Sequence, residues 1–258
     1  MRRFVARGNA VGMIDRPAEH DAARHWEHVA NEWTDWARAP EHDAYWYYRE
    51  AFREFLPGPG VATLEIGCGE GRIARDLTAL GHHVTATDIS PSLVAAAEAA
   101  GSEQRYMVAD ATSLPFEDRA FDRVVAYNML MDVPDMPAAV AEAARVLADD
   151  GVLTISIVHP FVDRGSFADA EPDAPFVVPG TYFGRSHFIG TESRAGRTMH
   201  FAGWSYPLED YVAALQAAGL AITSLREPRP AHLNGRDPAR ARWERMPLFL
   251  WINAVPRR

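Results

Sequence analysis

Glu65, Asp88 and Asp110 stand at or near the ends of three short strand-like runs, "TLEI", "HVTATD" and "RYMVAD", at nearly equal intervals along the chain. Between the first two lies "GCGEGR", where Gly67, Gly69 and Gly71 alternate with other residues. Bare backbone flanked by carboxylates suits a nucleotide, because N–H groups at a helix start face an acidic group while a strand-tip carboxylate accepts ribose hydroxyls. A dinucleotide turn reads G-x-G-x-x-G, its third glycine allowing close helix-to-strand contact, and Arg72 stands at that place here. Glu65 argues in the same direction: a carboxylate is repelled by a pyrophosphate and attracted by an ammonium group. Three acids around a glycine turn therefore describe a pocket for a ribose, an exocyclic amine and a positively charged tail.

The elements that must carry these residues alternate. Residues 61–66 read as a buried strand, and Ile73, Leu77 and Leu80 then share one helical face until Gly81. "HVTATD" is a second strand, followed by Ser90 as N-cap, Pro91 at the first helical position and Gly101 past the helix end. "RYMVAD" and "FDRVVAYN" give two more strands. Asp135 caps a helix with Val140, Ala144 and Leu147 inward and its end at Gly151, before the fifth strand "VLTISIV". Such alternation predicts a parallel sheet between two helix layers. Residues 160–206 lack a sustained period and are rich in Gly, Pro and aromatic residues, as expected of a lid or substrate-binding insertion. A helix after Pro207, the strand "LAITSLRE" and a last strand in "MPLFLWINAV" complete the pattern, and helices are expected around "HVANEWTDWARA" and "DAYWYYREAFREFL".

Composition removes several chemistries. The chain has 258 residues, 48% hydrophobic and 24% charged, which suits one globular domain. Its net charge of -9 and the absence of a basic run argue against a nucleic-acid partner. No apolar window is long enough for a membrane span, and "MRRFVARGNAVGMIDRP" lacks the apolar core of a secretion signal, so a cytoplasmic location is expected. Cys68 is the single cysteine, which excludes an intrachain disulfide. The chain contains no lysine, so it has neither a Walker-type phosphate loop nor a Schiff-base amine.

S-Adenosylmethionine offers the ribose, the amine and the cationic tail together. "LEIGCGEG", "VTATDIS", "VADATSLPFEDRAFDRVVAYNMLMDVPD" and "ARVLADDGVLTIS" resemble, in order and spacing, the motifs of class I S-adenosylmethionine-dependent methyltransferases, most of all the small-molecule group with the ubiquinone-biosynthesis C-methyltransferases. The resemblance covers residues 60–158 well and 206–254 loosely. It implies a doubly wound, Rossmann-like α/β fold with a mostly parallel seven-stranded sheet and helices on both faces. Its parts are an N-terminal helical cap (1–59), a cofactor core (60–159), a substrate-cap insertion (160–205) and the remaining helix and strands (206–258), forming a single methyltransferase domain.

By the same resemblance Glu65, Gly67, Cys68 and Gly69 hold the methionyl end of the cofactor. Asp88 takes the ribose diol with Ile89 on the adenine, Asp110 and Ala111 take the adenine amine and ring edge, and Asn128 and Met129 lie beside the methionyl carboxylate. Tyr48 and Arg49 are expected to close over the cofactor. Methyl transfer from a sulfonium is an in-line displacement whose main demand is orientation, and a base is needed only where the acceptor must lose a proton. His159, directly after the fifth strand, is the expected catalytic histidine. Tyr182, His187, His200 and Trp204 are the expected substrate contacts within an aromatic cap, and Arg164, Arg185, Arg194 and Arg197 could meet an anionic group on the acceptor. No N/D-P-P-Y/F sequence follows the fourth strand and no acidic cluster for Mg²⁺ is evident, so metal-independent transfer to a small, apolar or aromatic molecule is expected, with S-adenosylhomocysteine as product. An NAD(P)-dependent oxidoreductase, or a protein that binds S-adenosylmethionine for another reaction such as a cyclisation, would share much of this pattern.

Overall fold

The computed structural model describes residues 21–40, 42–101, 104–231 and 241–257. Three helices come first: α1 (Ala22–His28), α2 (Ala30–Arg38) and α3 (Tyr45–Phe55). The core follows as β1 (Thr63–Ile66), α4 (Arg72–Ala79), β2 (Val84–Asp88), α5 (Pro91–Ala99), β3 (Arg105–Val108), β4 (Phe121–Tyr127), α6 (Met136–Val146) and β5 (Leu147–Val158). Two small antiparallel pairs come next, β6 (Ser166–Phe167) with β7 (Phe176–Val177) and β8 (Ser186–Arg194) with β9 (Arg197–Ser205). The chain ends through α7 (Leu208–Ala217), β10 (Leu220–Arg226) and β11 (Phe249–Pro256).

The main sheet has seven strands in the order β10-β11-β5-β4-β1-β2-β3. β1 to β5 run parallel, while β11 is antiparallel to both β5 and β10. The direction of winding reverses between β1 and β4, and that reversal opens a crevice at the carboxyl ends of these strands. The apolar run in β4 shows why the sheet is covered twice: Val124 and Ala126 join the core under α6 and α7, while Val125 and Tyr127 join the core under α3, α4 and α5. On the second face Phe52 packs 4.7 Å from Tyr127 and 5.1 Å from Trp251 between ring centroids.

Local signals explain most boundaries. Ser90 accepts a hydrogen bond from the Leu93 amide and Pro91 occupies the first turn of α5, while the Asp135 carboxylate accepts from the Ala138 amide at the start of α6. Two boundaries differ from the sequence reading. α6 stops at Val146 rather than Gly151, because Leu147 already pairs with Phe121 at the edge of β4, and its inner face is Ala139, Val140, Ala143 and Val146. The segment read as irregular contains the long hairpin β8–β9, turned by Ala195 and Gly196, both at positive φ (48° and 79°). A two-residue turn with two positive φ values matches the twist of paired strands, and here an alanine occupies a place where glycine or asparagine is the usual signal. No helix among the described residues is long and apolar enough to cross a membrane.

Candidate active site

The turn after β1 is built from left-handed backbone. Gly67 and Gly69 have φ of 70° and 56°, which L side chains adopt with strain. A Cβ on Gly67 would lie 2.6 Å from the Met129 Cβ, and one on Gly69 would lie 2.8 Å from Trp33 Nε1. Asp88, at the tip of β2, holds the turn from beside it: one carboxylate oxygen accepts the Gly69 N–H at 2.7 Å and the other the Ser90 N–H at 3.0 Å. The Cys68 amide donates to the Thr87 carbonyl at 2.9 Å, so the turn is tied to β2 at two points. Burial pushes the Asp88 carboxyl upward, and the hydrogen bonds from Ser90 and Gly69 oppose that shift.

Glu65 lies 1% exposed, and its Oε2 atom has no hydrogen-bond partner among the described residues. Burial pushes this carboxyl well above its ordinary range, and the nearby Asp88 and Glu70 add to the effect. A buried acid left without a partner costs free energy that a cationic ligand would recover. Glu70 differs in being ion-paired, Arg38 and Arg75 meeting its Oε2 at 2.8 and 2.7 Å, although its buried Oε1 also lacks a partner among the described residues. Past β3, Asp110 is exposed and forms a local turn, its Oδ1 accepting from the Thr112 amide and hydroxyl at 2.8 and 2.7 Å, with Ala111 between them. At the tip of β4, Asn128 sits at a φ of 52°, fixed by its backbone N–H donating to the Ser156 carbonyl at 2.7 Å and by the Ser156 hydroxyl donating to its Oδ1 at 2.8 Å. A non-glycine residue held in left-handed backbone at a strand tip is the kind of strain that gathers at functional sites.

These residues line one cavity of about 1630 Å³, together with Cys68, Ile89 and Met129. All ten of the expected cofactor contacts therefore converge on one place. Arg72, which replaces the third dinucleotide glycine, borders the same cavity, pairing with Asp43 at 3.0 Å and lying over the Trp33 and Tyr45 rings at 5.0 and 4.5 Å.

The opposite wall is aromatic. Trp26, Trp33, Trp36 and Phe201 line it, joined edge to face by the pairs Trp26–Trp33 (5.9 Å), Trp33–Phe201 (6.5 Å) and Trp36–Phe201 (6.1 Å). His187 and Trp204, cross-strand partners on the hairpin, line it as well with rings 4.6 Å apart, and the Arg185 guanidinium rests 3.5 Å from the Trp204 ring centre.

Other expected residues lie elsewhere. His159 is outside the cavity lining: its Nδ1 accepts the Phe161 N–H at 3.2 Å and its Nε2 meets Glu227 at 3.0 Å. Burial holds its imidazole below the usual histidine range, and Glu227 partly offsets this. Tyr182 is also outside, its hydroxyl accepting the Leu208 N–H at 2.9 Å at the start of α7. His200, on the same hairpin face as Trp204 but further along it, is outside the lining as well, and its Nδ1 meets Glu32 at 2.8 Å. Tyr48 and Arg49 do not line the cavity: Tyr48 packs on Phe249 with ring centroids 4.9 Å apart, and Arg49 pairs with Asp76. Of the four arginines considered for an anionic acceptor, Arg185 and Arg194 line the cavity, whereas Arg164 donates to Ser186 and Ser205 and Arg197 to the Asp35 carbonyl. Glu192 on β8 also lines the cavity and was not anticipated; the hairpin register that turns it inward was the missing signal.

A seven-stranded sheet in this order, with a glycine turn after its central strand and carboxylates on the following strand tips, defines a Rossmann-like methyltransferase fold. Residues 64–155 match the family model described as a methyltransferase domain. An uncharacterized protein of Mycobacterium tuberculosis is 34% identical over 144 residues, covering 51% of this chain and 52% of the relative. A ubiquinone biosynthesis O-methyltransferase of Xanthomonas oryzae is 35% identical over 105 residues, covering 39% of this chain and 44% of the relative. The chain thus spans about half the length of the curated relatives it matches. An S-adenosylmethionine dependent methyltransferase from Mesorhizobium loti superposes with a TM-score of 0.64 at 25% identity, covering 82% of this chain and 97% of that one. Residues 64–155 thus carry a methyltransferase domain, set in the fold of S-adenosylmethionine-dependent methyltransferases.

Proposed function

We propose that this chain transfers a methyl group from S-adenosylmethionine to a small, apolar or aromatic acceptor, by in-line displacement without a metal ion. The cofactor of the family supplies an electrophilic methyl on a sulfonium that already carries its leaving group. The chain's own residues bind and orient. Glu65, whose buried Oε2 lacks a partner, is the group matched to an ammonium, and this observation carries the reading. Gly67 and Gly69 keep the turn free of side chains, Asp88 fixes that turn and presents its remaining lone pairs to a diol, and Asp110 and Asn128 bound the same space. The aromatic wall of Trp26, Trp33, Trp36, Phe201 and Trp204 excludes water and receives the acceptor, with His187 beside it. His159, Tyr182 and His200 are assigned supporting roles in holding the cap, given the partners described above. The net charge of -9 favours an acceptor that is neither nucleic acid nor an anionic lipid surface, and a cytoplasmic setting is part of the proposal.

Calorimetry with S-adenosylhomocysteine, NAD and NADP tests the reading. Binding and thermal protection are expected from the first alone. Binding of a dinucleotide in its place, or product formation from S-adenosylmethionine and an acceptor without label transfer, would overturn it.

A further inference from the structure

The acceptor wall contains a carboxyl group whose surroundings select one kind of nucleophile. Glu192 is half-buried, and its Oε1 atom is shielded from solvent with no hydrogen-bond partner among the described residues. In the hairpin register Glu192 stands opposite Met199 and Gly190 opposite Phe201, and cross-strand partners share a face, so Glu192 projects on the side that carries Met199 and Phe201. That side packs on Val29, Trp33 and Trp36. Trp33 is shared between the two halves of the cavity: it approaches Gly69 on one side and stacks edge-on with Phe201 on the other.

The charged groups around this wall narrow the choice of ligand. Arg194, two residues along the same strand, donates to the His42 carbonyl and lies 5.2 Å from the Trp36 ring centre. Arg72 pairs with Asp43 and covers Trp33 at 5.0 Å, and Asp132 borders the cavity beneath Gly203. Burial raises the Glu192 carboxyl to about 7, and Arg194 draws it down only in part. A cationic acceptor would compete with the two guanidinium groups already placed on these indoles, and an anionic one would meet the carboxylate. A neutral hydroxyl on an aromatic frame meets neither penalty, and it supplies the O–H that Oε1 lacks.

Building on the methyltransferase reading, we propose that Glu192 is the catalytic residue that takes the proton from a neutral aromatic hydroxyl, so that the acceptor is methylated on oxygen. The hydroxyl oxygen forms a bond to the methyl carbon as the carbon–sulfur bond breaks, and that bonding pair leaves with sulfur. The O–H proton passes to the Glu192 carboxylate and then to solvent. A carboxylate that titrates near the working pH is well matched to such a transfer.

The test compares the full chain with Glu192→Gln, using phenol, 2-naphthol and 2-anthrol as neutral probes and 2-naphthoate and 2-naphthylmethylamine as charged ones. S-Adenosylhomocysteine affinity should agree between the two proteins within about twofold, because Glu192 is not among the residues assigned to the cofactor. Label from S-adenosylmethionine should appear on a phenol and not on the charged probes. The variant should lose roughly 100-fold or more in kcat together with the ionisation near neutral pH in its rate profile. In protein labelled at glutamate Cδ, the carbon resonance that Glu192→Gln removes should titrate near neutrality and shift when a bound phenol is added to the S-adenosylhomocysteine complex. The inference is overturned by preferential methylation of a charged probe, by a chain that binds S-adenosylhomocysteine yet neither binds nor methylates any of the phenols, or by a variant that keeps both rate and pH profile. Failure of the wild-type chain to bind S-adenosylhomocysteine is a separate result, and it removes the methyltransferase reading itself.

Discussion

At the glycine end of the cavity, Glu65, Asp88, Asp110 and Asn128 sit on adjacent strands or just past their tips, and the last three bond to the next strand or to the turns at the strand ends. At the hairpin end, α2 packs on β9, and the Glu32–His200 contact joins residues 168 positions apart. The first end is organised by backbone geometry and hydrogen bonds, the second by rings packed edge to face. Affinity for the cofactor should therefore follow substitutions at one end, and stability of the cap should follow substitutions at the other.

The largest expected effect breaks the hairpin end. Trp36 is 3% exposed and touches His42 and Phe201, so Trp36→Ala should cost about 3–5 kcal/mol in chemical denaturation. S-Adenosylhomocysteine affinity, measured under native conditions, should change by no more than a few fold; a loss beyond about tenfold, worth 1.4 kcal/mol, would show that the two ends are one unit.

A sharper comparison comes from Glu65→Gln, where stability and binding should move in opposite directions. The folded protein holds this carboxyl well above its ordinary range, chiefly by burial, so the unfolded chain ionises first as pH rises and the native state loses stability relative to it. At pH 7 the neutral amide should raise the melting temperature of the ligand-free protein. At a pH below the ordinary glutamate range, where both states are protonated, the gain should vanish. Loss of the charge opposite the ammonium should weaken S-adenosylhomocysteine binding by about tenfold or more. A variant that binds as tightly as the wild type would remove Glu65 from the site.

The smallest effect is expected where α1 clips onto the start of α5. The Glu27 carboxylate accepts from the hydroxyls of Ser90 and Ser92, both at 2.5 Å, and these bonds hold it below its usual range. Glu27→Gln should therefore destabilise the chain only slightly, by less than about 1 kcal/mol given its exposure to solvent. That contribution is present above the ordinary glutamate range and is lost as pH falls through the lowered value. A scan of melting temperature against pH for both proteins measures the difference.

The glycine end was legible because its chemistry is local. A strand, a turn with glycines at fixed offsets and a carboxylate at the next strand tip are set by neighbours a few residues away, and all ten residues expected to hold the cofactor line one cavity. Among the four expected substrate contacts, His187 and Trp204 line it and Tyr182 and His200 do not. Tyr182 precedes the hairpin and meets Leu208, while His200 shares a face with Trp204 and His187 but stands further along the hairpin and meets Glu32; neither place nor partner can be read before the hairpin is known. His200 is one position from Phe201, yet a strand turns successive side chains to opposite faces. His159 follows β5 as expected, but Glu227 and the Phe161 amide hold its ring outside the cavity.

Sequence alone determined the doubly wound sheet, the glycine turn and the acids around it, because hydrophobic period, caps and strand-tip residues act over short stretches of chain. Tertiary structure alone decided which aromatic rings line the cavity, why Arg72 turns toward Asp43, and that Glu192 rather than His159 faces the cavity. Those outcomes depend on the register of a hairpin and on packing between segments far apart in the chain, where shifting one strand by a single residue would exchange the inward and outward side chains.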